Sequence, residues 1–239
     1  EGMEPLVREG SPPPEPPDQR VFALTGLAFV EAIRCSPASH VHHARAVALA
    51  REIGDHAALV YALVHGAHAS LMASDLTSAL LRLAEADPLA EAQRMEAYGA
   101  TIALLRGCAE AEVGDPDRAV LAIRASMARN AMHFVVFEAF GLSFLAFAEE
   151  RRGDERAARA ALERGIDLSR TTIDRFWIAE LTRQHAAQRA RLGAASAEVS
   201  AAYERAIGLA REQDAVMLEL RATAELASWH PEPAGRVRA

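Results

Sequence analysis

Apolar positions recur at three- and four-residue spacing from about Gln19 to Trp229, in blocks of roughly 14 to 18 residues separated by short turn signals. Side chains three and four apart share one face of a helix, so this spacing predicts a succession of amphipathic helices. The turn signals are themselves periodic. Ser74-Asp75, Gly114-Asp115-Pro116, Gly153-Asp154 and Gly193-Ala194 fall 39 to 40 residues apart, and Cys35-Ser36-Pro37 continues the series upstream. A fixed period is the mark of a repeat array. Glycine tolerates the left-handed backbone that ends a helix, and an Asp or Ser after it can accept the free amide hydrogens of the next helix. Each anchor is therefore predicted to be the turn of a helical hairpin.

A second regularity sits inside the blocks. In the helix after each anchor, Ala46, Ala86, Ser126, Gly165 and Ala206 share one register, and in the helix before it Ala67, Gly107, Ala146 and Ala186 share another. Small residues at fixed phases predict places where helices approach closely. The blocks divide into helical pairs over 19–54, 56–92, 93–131, 133–171 and 173–213, with one more helix over 215–229 to cap the stack. No pair can bury its apolar face alone, so stability is expected to come from stacking on neighbours. Residues 11–17 read Ser-Pro-Pro-Pro-Glu-Pro-Pro, which carries no helical periodicity. The expected organisation is a disordered proline-rich lead-in over 1–18, a helical repeat domain over 19–229 and a flexible tail over 230–239.

Composition agrees with an all-α fold: 51% of the chain is hydrophobic, with Ala and Leu dominant and only 5% aromatic. The net charge of −7 lacks the basic excess that neutralises a phosphate backbone, so direct nucleic-acid binding is not expected. The sequence contains no Lys, and all 26 basic residues are Arg. That excludes a phosphate-loop lysine, a Schiff base and a lysine general base, and neither G-x-x-x-x-G-K-[ST] nor G-x-G-x-x-G occurs. Cys35 and Cys108, with no C-x-x-C between them, fit a reducing compartment, and a cytoplasmic location is expected. Glu1 to Asp18 is acidic and proline-rich, unlike a signal peptide. The longest apolar stretch, Ala131 to Ala148, is interrupted by His133 and Glu138 and reads as a buried helix rather than a membrane span. Beginning at Glu1, the chain reads as a piece of something longer.

The repeat pattern resembles the tetratricopeptide repeat, most clearly in Gly114-Asp-Pro-Asp-Arg-Ala-Val-Leu-Ala-Ile-Arg-Ala and Gly153-Asp-Glu-Arg-Ala-Ala-Arg-Ala-Ala-Leu-Glu-Arg. Alanines and glycines match and several aromatic positions do not. The period also exceeds the usual length of about 34 residues. Toward the end, Asp174-Arg-Phe-Trp-Ile-Ala-Glu-Leu-Thr-Arg, Ala202-Tyr-Glu-Arg-Ala-Ile-Gly-Leu-Ala-Arg-Glu-Gln and Leu218-Glu-Leu-Arg-Ala-Thr-Ala-Glu-Leu-Ala resemble the C-terminal helical region of large bacterial signalling ATPases fused to class III cyclase or LuxR-type DNA-binding domains. That resemblance implies a right-handed α-solenoid acting as a sensor or partner-binding arm. No nucleotide-binding or cyclase motif is present, so it implies no activity for this chain.

The resemblance also implies that the first helix of each pair lines a concave face. Tyr61, His65, His68, Phe140, Ser143, Phe144, Phe147, Glu180, Arg183 and Gln184 then project toward it. Phe140, Phe144 and Phe147 fall at i, i+4 and i+7, a stripe suited to an apolar ligand or amphipathic helix, though apolar positions at helical spacing more often form a plain core. His65 and His68, at i and i+3, face the same way as Cys108 of the next pair. They are read as a metal pair or as ordinary packed histidines. His40, His42 and His43 open a helix and are expected to be exposed. Arg175, Glu180 and Arg183 flank Trp177 and are read as an anion site or a surface ion-pair network. No acid pair is tied to a nucleophile, and neither H-E-x-x-H nor G-x-S-x-G occurs. The expected function is non-catalytic binding of a protein, peptide or small effector, with no cofactor. The alternatives are a metal-dependent enzyme at His65, His68 and Cys108, or a structural oligomerisation arm.

Overall fold

The computed structural model describes residues 18–130, 137–171 and 175–229, and among them every regular element is a helix. The helices are α1 (Gln19–Ile33), α2 (Ala38–Glu52), α3 (His56–Met72), α4 (Leu76–Ala92), α5 (Glu96–Val113), α6 (Pro116–Asn130), α7 (Glu138–Arg151), α8 (Glu155–Thr171), α9 (Ile178–Arg191), α10 (Ser196–Glu212) and α11 (Val216–Ser228). They fall where the hydrophobic blocks put them. The proline-rich lead-in up to residue 17, the tail from 230 onward and the first residues of the apolar stretch, 131–136, lie outside the described residues.

One turn geometry joins most of these helices. Cys35, Gly54, Ser74, Arg94, Gly153, Gly193 and Asp214 all have positive φ, between 52° and 83°. At each, the amide of that residue donates to the carbonyl three residues back and the next amide donates to the carbonyl five back. Gly54 donates to Arg51 at 3.2 Å, for example, and Asp55 to Ala50 at 3.1 Å. This paired closure satisfies carbonyls that a helix end otherwise leaves bare. The anchor at Gly114 is different: its φ of −101° and ψ of −154° are extended, and left-handed freedom is not what glycine supplies there. The aspartates do cap as expected. Asp55, Asp75 and Asp154 accept from Ala58, Ser78 and Ala157 at 2.8, 3.1 and 2.9 Å, and Asp115 accepts from Asp117 at 2.9 Å.

Each odd helix through α9 packs most extensively against the even helix that follows it. The odd helices also touch in succession: α1 on α3, α3 on α5, α5 on α7, α7 on α9 and α9 on α11. The result is two layers. Helices α3, α5 and α7 have neighbours on several sides and are buried around most of their circumference, whereas α2 and α8 bury a single stripe. The small residues mark the closest approaches. Ala46, Ala67, Ala86, Ser126, Ala146, Ala186 and Ala206 are all buried. A Cβ on Gly107 would stand 3.0 Å from Ile123 Cγ1 and 3.2 Å from the Ile123 backbone nitrogen, and one on Gly165 would meet Leu181 at 2.8 Å.

The two ends of the array meet. Helix α1 contacts α11, Arg34 pairs with Asp214, and Arg221 on α11 donates to the Met72 carbonyl at the end of α3. Phe29 on α1 lies edge-on to Phe176, just before α9, with ring centroids 5.3 Å apart. The side expected to be concave is therefore closed over and largely filled by side chains.

Candidate functional site

The concave face predicted to bind is an aromatic cluster built from distant helices. His68 is fully buried and touches Phe29, Phe137, Phe140 and Phe176, with centroids 4.3 to 5.6 Å apart. Phe140 continues the cluster to Phe144 at 4.8 Å and Trp177 at 5.0 Å. Ser143 Oγ donates to the Phe140 carbonyl at 2.7 Å and accepts the Trp177 indole N–H at 2.8 Å, so α7 is tied to the segment entering α9. Phe140, Ser143 and Phe144 are core. Phe147 is 38% exposed, and at the rim Tyr61 stacks on Phe22 and lies against His65. Neither nitrogen of His68 has a hydrogen-bond partner, and burial drives its proton affinity well below that of a free imidazole. It is held as a neutral ring, packed edge-on against Phe137, Phe140 and Phe176.

Glu180, Arg183 and Gln184 also lie inward, and two of them correct the surface ion-pair reading. Glu180 is 4% exposed. Arg183, its side chain 14% exposed, grips it with two hydrogen bonds of 2.9 and 2.7 Å and reaches Glu225 with a third. Gln184 Nε2 stands 3.5 Å from the same carboxylate and Arg221 3.9 Å. Burial alone would raise the Glu180 carboxyl, but the Arg183 charge and hydrogen bonds, helped by Arg221, hold it below its ordinary range. Arg175, in contrast, is exposed and joins no ion pair among the described residues, while its carbonyl accepts from Gln213 at 2.5 Å and from the Ile178 amide at 3.3 Å. The network is a structural clamp between α9 and α11 with its charges already matched.

A cavity of about 640 Å³ opens where the ends of the array come together, walled by α1 to α4 and α11. Its apolar wall includes Ala28, Phe29, Ala69 and Met217, and its polar wall includes His43, His65, Ser70, Asp75, Arg82 and Arg221. His40 is exposed as expected, but His42 and His43 are not: both are partly buried, and His42 Nδ1 and His43 Nε2 have no partner. The His43 ring lies over Gly66, where a Cβ would come within 1.7 Å of Nε2. A glycine inside a helix costs about 1 kcal/mol against alanine, and Gly66 was the one sign in the sequence that something packs closely there. Burial lowers His43 to about 4, with the Arg82 charge adding to the effect, and burial lowers His65 to about 4.

Arg82 was not singled out by its spacing. It is half-buried and donates to Ser70 Oγ at 2.7 Å, yet it joins no ion pair among the described residues. Asp75, the one acid lining this cavity, caps α4 and keeps its negative charge, which favours the charged form of Arg82 without a direct ion pair. In a comparable hollow of about 690 Å³ beside α6, α7 and α8, Arg124 and Arg164 are paired with Glu149 and Glu138, and Arg156, which joins no ion pair among the described residues, is exposed rather than half-buried. Cys108 is buried and its thiol is pushed well up by burial. Among the described residues no group of three His, Cys, Asp or Glu side chains stands close enough to share a metal ion, so His65, His68 and Cys108 do not assemble a centre. Nor is any helix there long and apolar enough to cross a membrane. No protein-family model matches the chain, and a search of curated proteins finds no match.

Proposed function

We propose that this chain is a non-catalytic helical-repeat module that senses a small effector, and that the effector enters the cavity between the first helices and α11. The observation that supports this most is the composition of the cavity wall, which draws on both ends of the array. A ligand there touches α1, α3 and α11 together, so its binding energy bears directly on whether the ends stay joined. An open groove for a peptide is the less supported form of the expectation, since a peptide on the concave side would have to displace the cluster around His68 and Phe140. The repeat pattern, with its resemblance to tetratricopeptide repeats and to the helical arm of bacterial signalling and transcription-regulatory ATPases, supports a regulatory role in a larger cytoplasmic assembly.

Thermal-shift measurements with a set of small neutral, anionic and cationic molecules test the reading. Compounds that occupy the cavity will raise the melting temperature of the wild type and lose that effect in Ala69→Leu, where an isobutyl group replaces a methyl in the wall. If nothing in the set stabilises the wild type more than this variant, the cavity is not a binding site.

A further inference from the structure

Resting on that reading, we infer that the cavity takes a small monocarboxylate with an apolar body, its carboxylate held by Arg82 and its body laid against Phe29, Ala69 and Met217. Arg82 stands between α4 and the cavity with one donor on Ser70. Its guanidinium is fully charged in proteins and carries five N–H donors in a planar fork matched to a carboxylate. Among the described residues Arg82 is half-buried and joins no direct ion pair; Asp75 in the same wall favours its charge from a distance, and Ser70 takes one of its donors. The other cavity cation, Arg221, is committed to the Met72 carbonyl and stands 3.9 Å from Glu180.

The balance of charge points the same way. Two arginines and one aspartate line the cavity, so the wall is net positive with the charge of Asp75 counted in full. His43, whose Nε2 is buried without a partner, is a further polar group in the same wall. An anion entering here meets a net positive wall and a guanidinium that joins no direct ion pair and donates to Ser70. A second carboxylate on the same ligand would find no second free cation, and for that reason the ligand class is a monoacid. The apolar wall, shared by α1, α3 and α11, sets the rest of the molecule as hydrocarbon or aromatic, and a volume of about 640 Å³ accommodates a medium-chain acid.

Isothermal titration of the full chain with octanoate, octanol and octylamine at neutral pH tests this. Octanoate is expected to bind the wild type at least about tenfold more tightly than octanol, with octylamine weaker still, as the strength of a charge-assisted hydrogen bond implies. Arg82→Gln, which keeps a donor for Ser70, should weaken octanoate about tenfold or more and leave octanol within about twofold, and Arg82→Lys should restore part of the loss. Equal binding of octanoate to wild type and Arg82→Gln overturns the assignment of Arg82. Octanol binding as tightly as octanoate overturns the carboxylate preference while the small-effector reading stands. No binding of any of the three overturns the inference, and if the wider set of compounds also fails to stabilise the protein, that reading falls with it.

Discussion

Arg183→Met tests the most concentrated electrostatic feature of the fold. The substitution keeps an unbranched apolar stem and removes the charge that Glu180 depends on. Glu180 is 4% exposed, and its two short hydrogen bonds, 2.9 and 2.7 Å, both come from Arg183. What stays behind is Gln184 at 3.5 Å, the outer limit of a hydrogen bond, and Arg221 at 3.9 Å. Breaking one side of a buried pair costs about 3 to 5 kcal/mol, because the remaining charge stays desolvated without compensation. The lost contact with the half-exposed Glu225 adds only about 0.2 to 1 kcal/mol. Against a typical total of about 5 to 15 kcal/mol for a domain, this is a large share. Replacing both partners, Glu180→Leu with Arg183→Met, should recover most of the loss, since an apolar pair of similar volume is about neutral to a buried ion pair.

The assay is urea unfolding followed by far-UV circular dichroism and by tryptophan fluorescence, with coincident transitions required before a free energy is taken. The pH dependence has a definite sign. In the wild type the folded Glu180 is held below its ordinary 4.5, so its contribution is present above that value and is lost as the pH falls through the lower folded value. In Arg183→Met, burial without the partner raises the carboxyl instead, so the deficit is greatest at neutral pH and shrinks as acid neutralises the group. A single-variant cost below about 1 kcal/mol, or a double variant no more stable than the single one, would refute the argument that Glu180 is desolvated and held by Arg183.

Other perturbations read different parts of the structure. Gly107→Leu should cost about 1 to 3 kcal/mol, measured as a lowered urea midpoint, because its side chain runs into Ile123 on α6. Arg94→Gly should raise stability by about 0.5 to 1 kcal/mol, since φ at Arg94 is 52° and relief of left-handed strain exceeds the added flexibility of the unfolded chain. An unchanged or lowered midpoint would mean that Arg94 is not strained. Ser143→Ala leaves the buried Trp177 N–H without its acceptor and should cost about 1 to 3 kcal/mol, with a shift in tryptophan emission. Stability should also fall as the pH drops from 6.5 toward 4. Over that window the unfolded chain protonates His43 and His65 while the folded protein, with both near 4, does not. Each contributes at most about 1.4 kcal/mol per pH unit, and His43→Gln should flatten the slope.

The placement of Ala86, Gly107, Ser126 and Gly165 illustrates what a one-dimensional pattern can carry. A helix contact recurring with the period of the chain constrains residue size at a fixed phase, so the small residues could be found before any coordinates were known. Turns at Ser74, Gly153 and Gly193, and the caps at Asp75, Asp115 and Asp154, are equally local: backbone conformation and a neighbouring side chain decide them. Gly114 shows the limit even here, because a glycine at a helix end is compatible with an extended backbone as well as a left-handed one.

The candidate site belongs to the other class. Phe29 meets Phe176, Arg34 meets Asp214 and Arg221 meets Met72 only because the stacked helices curve until their ends touch. The sum of many small interhelix rotations that produces this has no signature at any single position. Burial follows from the same closure. It turned Phe140 and Ser143 from prospective groove residues into core, moved Glu180 and Arg183 inside, and left Arg82 facing a cavity without a direct ion pair. Sequence alone determined the helices, their boundaries and their close contacts, since those depend on neighbours within a repeat; the tertiary structure decided which polar groups lost water and which found partners, since that depends on how separate repeats and the two ends of the chain pack together.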